Sequence, residues 1–189
     1  MDVGITREEA LILVKENIKN ERTIWHCLAS EAVMYALAIR LSEDTEKWAM
    51  AGLLHDLDVE ITNADPKVHG LVTAKMLEEK GIDAEIIDAI KHHNEEAEGA
   101  GLRTTVFQHA LAAGETITGL IQATTYVYPD RKIASVKSSS VVKRMKEKAF
   151  AASVKRESIL ECELIGIPLP EFAEISVNAM RGIADKIGL

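Results

Sequence analysis

Phenylalanine, tyrosine and tryptophan together make up 4% of the 189 residues, proline occurs four times and cysteine twice. With so few aromatics and prolines, and an abundance of Ala, Leu, Ile, Glu and Lys, the composition favours helix over strand, because straight side chains lose little rotamer freedom in a helix. An all-α protein is expected. Cys27 and Cys162 form no CxxC pair, and each sits in a helix-like stretch where a buried free thiol is the ordinary role, so a reducing cytosol is expected. The longest uncharged run, Thr116 to Pro129, is short of the roughly 20 residues of a membrane span, and the acidic amino terminus has no apolar core before a cleavage site. The expectation is a cytoplasmic chain with no membrane partner.

Positive charge is scarce as well. The net charge of −8 argues against a nucleic-acid groove over the whole surface, so no extended nucleic acid is expected. The deficit is uneven: residues 1 to 125 carry 22 acids and 11 bases, whereas residues 126 to 156 carry 9 bases against Asp130 and Glu147. A local patch for a phosphorylated ligand follows, with Lys132, Arg144 and Arg156 as candidates to hold a phosphate, the arginines by paired hydrogen bonds.

The chain reads as one domain over residues 1–189, with no internal repeat and no linker long enough to separate two units. Thr6 and Glu9 form a capping-box pattern that opens a helix to about Lys19; a second is expected from Thr23 to Leu41. A third follows Ser42 and Glu43, and its Trp48 to Leu54 stretch is apolar nearly all round, as in a helix at the centre of a bundle. Asp65-Pro66 predicts a helix to Lys80, ended by Gly81, and another spans Asp83 to His93. After a polar loop, a long helix is expected from Leu102 to Thr125. Shorter helices are then expected over Asp130 to Val136, Ser140 to about Ala151 and Ser153 to Ile165, and Pro168-Leu169-Pro170 breaks the chain before a last one to Ile187. That last helix either covers the core or pairs with another subunit, so a homo-oligomer stays open.

All six histidines fall between positions 26 and 109. His26 shares a helical stripe with Ala29, Val33 and Leu37, His55 with Trp48 and Gly52, His69 with Val72, Thr73 and Met76, and His93 with Ile86 and Ile90. One inward histidine is more often a satisfied core residue than a ligand. Several, with a carboxylate, leave many buried polar groups that a divalent metal would satisfy together, and imidazole with carboxylate suits Zn, Mn, Fe or Ni rather than Ca.

The segments Trp25-His26-Cys27-Leu28 and Leu53-Leu54-His55-Asp56 resemble the opening signature of the HD superfamily of metal-dependent phosphohydrolases. His69-Gly70 and the doublet His92-His93 resemble the longer pattern of its binuclear members, including the HD-GYP cyclic dinucleotide phosphodiesterases. The similarity covers residues 23 to 125 and implies a helical bundle, with residues 126–189 as a helical extension packed on it. It further implies one or two divalent transition metals per chain: one held by His26, His55 and Asp56, a second by His69, His92 and His93, with Asp56 bridging and central to catalysis. One of the His92-His93 pair would alternatively stand behind a ligand or contact substrate, since neighbouring helical residues point about 100° apart. The family's later aspartate is matched by Glu115, which would ligate or leave that position to water.

Two departures matter. Leu57-Asp58-Val59 stands where HD-GYP proteins have Ile-Gly-Lys, and no GYP triplet follows the doublet, which disfavours cyclic di-GMP hydrolysis. Asp58 is read as a solvated acid past a helix end, with a supporting role at the site as the alternative; His109 lines the cavity at most. The function expected is hydrolysis of a small phosphomonoester or phosphodiester. The alternatives are a di-iron oxygenase resembling myo-inositol oxygenase, and an inactive nucleotide-binding HD module.

Overall fold

The computed structural model describes residues 3–189; residues 1 and 2 of the expected single unit lie outside the described residues. Among the described residues there are nine α-helices and no strand, which makes the protein all-α: α1 Arg7–Asn17, α2 Glu21–Leu41, α3 Thr45–Leu54, α4 Leu71–Glu79, α5 Ala84–His93, α6 Val106–Tyr126, α7 Ser138–Arg144, α8 Arg156–Leu160 and α9 Leu169–Arg181. The capping box expected at Thr6 and Glu9 is present, and three caps not read from the sequence join it. Thr6 and Glu9 close a reciprocal box on α1, Asp44 and Asp83 accept first-turn amides of α3 and α5, and Thr105 pairs with Gln108 on α6.

Helix α2 is the hub, packing on α3, α6 and α9, while α5 lies against α4 and α6, and α8 covers the far side of α6. The crossing of α2 and α3 needs Gly52, since a Cβ there would stand 2.6 Å from the Ser30 carbonyl oxygen. Val33, Met34, Leu37, Leu53, Leu54, Leu111 and Ile117 are fully buried at these contacts. By length and composition α2 is apolar enough to cross a membrane; here Cys27, Ala29, Val33, Met34, Leu37 and Ala38 are buried in the core of the bundle, while Tyr35 and Ile39 are exposed.

Three segments differ most from expectation. The helix expected from Asp65-Pro66 starts only at Leu71, because Gly70 takes φ +88° and the buried Asp58 carboxylate accepts the N–H groups of Gly70 and Thr73, capping α4 there. The last helix stops at Arg181, with a 3-10 turn at Ala184–Lys186. In the basic segment, α7 ends at Arg144 and α8 is a single short helix, with turns between them. Buried Arg156 maintains those turns: its guanidinium donates to the carbonyls of Ala151 and Val154, each at 2.7 Å, and to that of Phe150.

Candidate metal centre

Four elements bring one polar cluster together. His26 projects from the first third of α2, His55 is the C-cap of α3 with Asp56 just beyond, His69 lies in the turn before α4, and His93 is the last residue of α5. Glu115 and Thr118 face them from α6. His55 is fully buried, and His93 and Asp56 are each 8% exposed.

The Asp56 carboxylate stands at the centre. Its Oδ1 is 3.1 Å from His69 Nε2, 3.3 Å from His55 Nε2 and 3.8 Å from His93 Nε2, and its Oδ2 is 3.7 Å from His26 Nε2. Two sets of donor atoms, each within 4.8 Å of one another, therefore share this carboxylate: His26, His55 and Asp56 in one, Asp56, His69 and His93 in the other.

The outward nitrogen of every imidazole has a partner that assigns its tautomer. His55 Nδ1 donates to the Gly52 carbonyl at 2.9 Å and His93 Nδ1 to that of Ile90 at 2.6 Å. His69 Nδ1 donates to Asp58 Oδ1 at 2.7 Å. Thr118 spends its hydroxyl proton on the Glu115 carbonyl, so its oxygen accepts from His26 Nδ1 at 2.9 Å. With Nδ1 engaged outward, each ring turns its Nε2 inward, and these nitrogens meet in two pairs, His26 with His55 at 3.1 Å and His69 with His93 at 3.2 Å. Lone pairs at that distance repel unless a proton or a cation lies between them, and imidazole with carboxylate is a donor set that could hold a metal ion.

Electrostatics reinforce this. Burial drives His55 down to about 4 and His93 down to about 3, keeping both unprotonated near neutrality. Burial also opposes charge on His69, but its hydrogen bonds to Asp56 and Asp58 outweigh that and raise it to about 10. Asp56 is pulled the other way: burial alone would raise its carboxyl, yet the surrounding His55, His69 and His26 hold it well below the usual range. Glu115, pushed up to about 8 by burial, has Oε2 3.6 Å from His26 Nε2, which makes it a partly buried acid of the cluster and not a surface one.

Not every expected residue arrives. His92, adjacent to His93 on α5, turns away: its Nδ1 is 2.8 Å from the Asp88 carbonyl oxygen and 3.2 Å from Gln108 Nε2, and it belongs to neither donor set. The 100° step between neighbouring helical residues lets only one of the two face Asp56. His109 is engaged by Glu161 at 2.7 Å. The phosphate-holding expectation for Lys132, Arg144 and Arg156 needs correction too, as none borders the cavity above the cluster. Arg156 is committed to loop carbonyls, Arg144 lies over the Phe150 ring and pairs with Glu147, and Lys132 is exposed elsewhere. The cation at the cavity is Lys155.

The sequence carries no signal for two supports, Thr118 and Arg103, and the solvated reading of Asp58 gives way to its alternative, a supporting role at the site. Asp58 is fully buried behind His69, Thr118 holds His26, and Arg103 donates to the carbonyls of His92 at 2.9 Å and His93 at 3.3 Å, closing the end of α5 while its other donors hold Glu161 and Glu95. Only Asp58, two residues past the His-Asp pair, carried a sequence signal.

The cluster forms the floor of an open cavity of about 330 Å³. A larger groove of about 720 Å³ between α2 and α9, with Tyr35 and Ile39 on its wall, has no histidine.

A helical bundle whose buried His-Asp pair sits at a helix end, surrounded by further histidines, defines an all-α domain with a His/Asp cluster that could hold metal. Residues 23–148 match the family model of the HD domain, well over half of the chain, and the chain belongs to that family. The match runs past the expected limit at residue 125 to beyond the end of α7. The family is generally one of metal-dependent hydrolases, and its members bind divalent metals. Over 91 residues the chain is 33% identical to an uncharacterized protein of Methanocaldococcus jannaschii, covering 46% of this chain and 52% of the relative, so the match spans about half of that protein's length.

Proposed function

We propose that the chain is a metal-dependent phosphohydrolase acting on a small phosphomonoester or phosphodiester in the cytoplasm. The observation that carries this reading is the convergence of four imidazole Nε2 atoms around one shared carboxylate at the floor of an open cavity. His26, His55 and Asp56, with Glu115 beside them, would hold one divalent cation, and Asp56, His69 and His93 a second; Mn, Fe, Ni and Zn all suit these donors. Bound metal supplies a water acidified toward neutrality and positive charge for the phosphate oxygens as the ester breaks.

The chain's own groups prepare the site. Asp56 stays ionised and reaches both donor sets. Thr118, Asp58 and the carbonyls of Gly52 and Ile90 orient the imidazoles before any ligand arrives. Burial holds the Glu115 carboxyl at about 8, and accepting a cation there means releasing its proton.

The test is phosphate release from a panel of phosphomonoesters and diesters, with Mn, Fe or Ni added to chelator-treated protein. Metal-dependent release that disappears in Asp56→Ala supports the reading. Full metal occupancy with no release from any ester would overturn it in favour of a binding module, and iron-dependent oxygen consumption would favour an oxygenase.

A further inference from the structure

We propose that the substrate is a small hydroxylated phosphomonoester without a nucleobase, such as a sugar or polyol phosphate, and that Lys155 contacts its phosphate. The inference rests on the phosphohydrolase reading above and specifies its substrate class. About 330 Å³ lies at the lower end of ligand sites, which suits one small molecule and not a dinucleotide. A nucleobase is held by stacking on an aromatic or guanidinium plane. No Phe, Tyr, Trp or Arg borders this cavity, and its three imidazoles, His26, His69 and His93, are packed edge-to-face with one another or with His55 around Asp56 rather than spread as a stacking wall. Its aliphatic lining is one side chain, Val154, seated over Gly119 with 3.4 Å between a built Cβ and Cγ2. The remaining wall is polar: Ser153 and Ser158 from the turn and start of α8, Glu95, and Thr116 on α6. Hydroxyls and a carboxylate recognise the hydroxyls of a sugar or polyol.

Lys155 is the cation of that wall. Its Nζ pairs with Glu96 and lies 3.5 Å from Glu95 Oε1, with the lysine 45% and both glutamates 52% exposed. Ion pairs so exposed contribute little net stability, so the ammonium exchanges them for a dianionic phosphate at small cost. Arg103, donating to Glu95 at 3.1 Å, keeps that glutamate at the rim beside it.

Ribose 5-phosphate and adenosine monophosphate share the reacting phosphoribosyl group and differ by the base, so they separate the two substrate classes. With manganese-loaded full-length protein, kcat/KM for ribose 5-phosphate is expected to exceed that for adenosine monophosphate at least tenfold. Lys155→Met should raise KM at least tenfold with kcat within threefold and metal content unchanged, weaken inorganic phosphate binding measured by calorimetry about as much, and be restored by Lys155→Arg. Equal or better turnover of the nucleotide, an unchanged KM in Lys155→Met, or loss of metal from that variant would each overturn this proposal alone. Absence of hydrolysis on every ester would overturn it together with the phosphohydrolase reading.

Discussion

Asp58 holds His69: its Oδ1 accepts the ring's Nδ1 proton at 2.7 Å, while its Oδ2 accepts the amides of Gly70 at 2.8 Å and Thr73 at 2.9 Å. One buried carboxylate thus orients a candidate ligand and caps the helix that follows it. Asp58→Asn keeps an acceptor but loses the charge, and metal affinity at the Asp56–His69–His93 set should fall about 10- to 100-fold. Titration with metal-sensitive dye should show one weakened site and one unchanged. Two unchanged sites would separate Asp58 from metal binding.

Gly70 makes this turn possible. Its φ is +88°, and a Cβ there would lie 2.9 Å from His93 Cε1. Gly70→Ala should lower stability by about 1–3 kcal/mol, the cost of a strained backbone position, and should displace His93. Urea unfolding and metal content measured together are the check, with both expected to fall.

The histidines should titrate far apart in the metal-free protein. Burial depresses His55 to about 4 and His93 to about 3, so their contribution to stability is present above about 6.5, the unfolded value, and is lost as pH falls through 4 and then 3. For His69, burial is outweighed by Asp56 and Asp58 and the value rises to about 10, so its contribution is present below about 6.5 and is lost as pH rises through 10. Imidazole nitrogen NMR of chelator-treated protein should show two neutral rings at pH 6 and one still protonated at pH 8. Four rings titrating together near 6.5 would contradict the buried cluster.

Arg156 should prove structural. Its guanidinium satisfies three loop carbonyls from a site only 9% exposed. Arg156→Met leaves them unpaired and should destabilise the chain by about 2–4 kcal/mol, the cost of a few unsatisfied polar groups. Thermal unfolding reads that loss, and at a temperature where the variant is folded its KM should match the unsubstituted protein.

The contrast between Arg156 and Lys155 shows how far residue type carries. Clustered bases after Pro129 pointed to a phosphate-facing segment, but neighbours in sequence went to opposite fates, one sealing a turn and one reaching the cavity. Helix α5 and the first capping box were legible because periodicity and caps are local. The start of α4 was not: Asp65-Pro66 is a valid local start, overridden by Asp58 reaching across a turn to Gly70 and Thr73. The inward stripes of His26, His55, His69 and His93 were readable from helical spacing. Which of His92 and His93 faces Asp56 depends on how α5 is rotated against α4 and α6, a tertiary property. Thr118 and Arg103 act over long sequence separations and left no local trace.

The most direct test of the account is metal analysis of protein purified without chelator, comparing the unsubstituted chain with Asp56→Ala. Because Asp56 is shared by both donor sets, the account predicts close to two transition-metal ions per chain in the first and almost none in the second, with the fold retained by circular dichroism. Fewer than about one ion in ten chains of the unsubstituted protein after re-addition of metal, or unchanged content in Asp56→Ala, would contradict a shared metal centre.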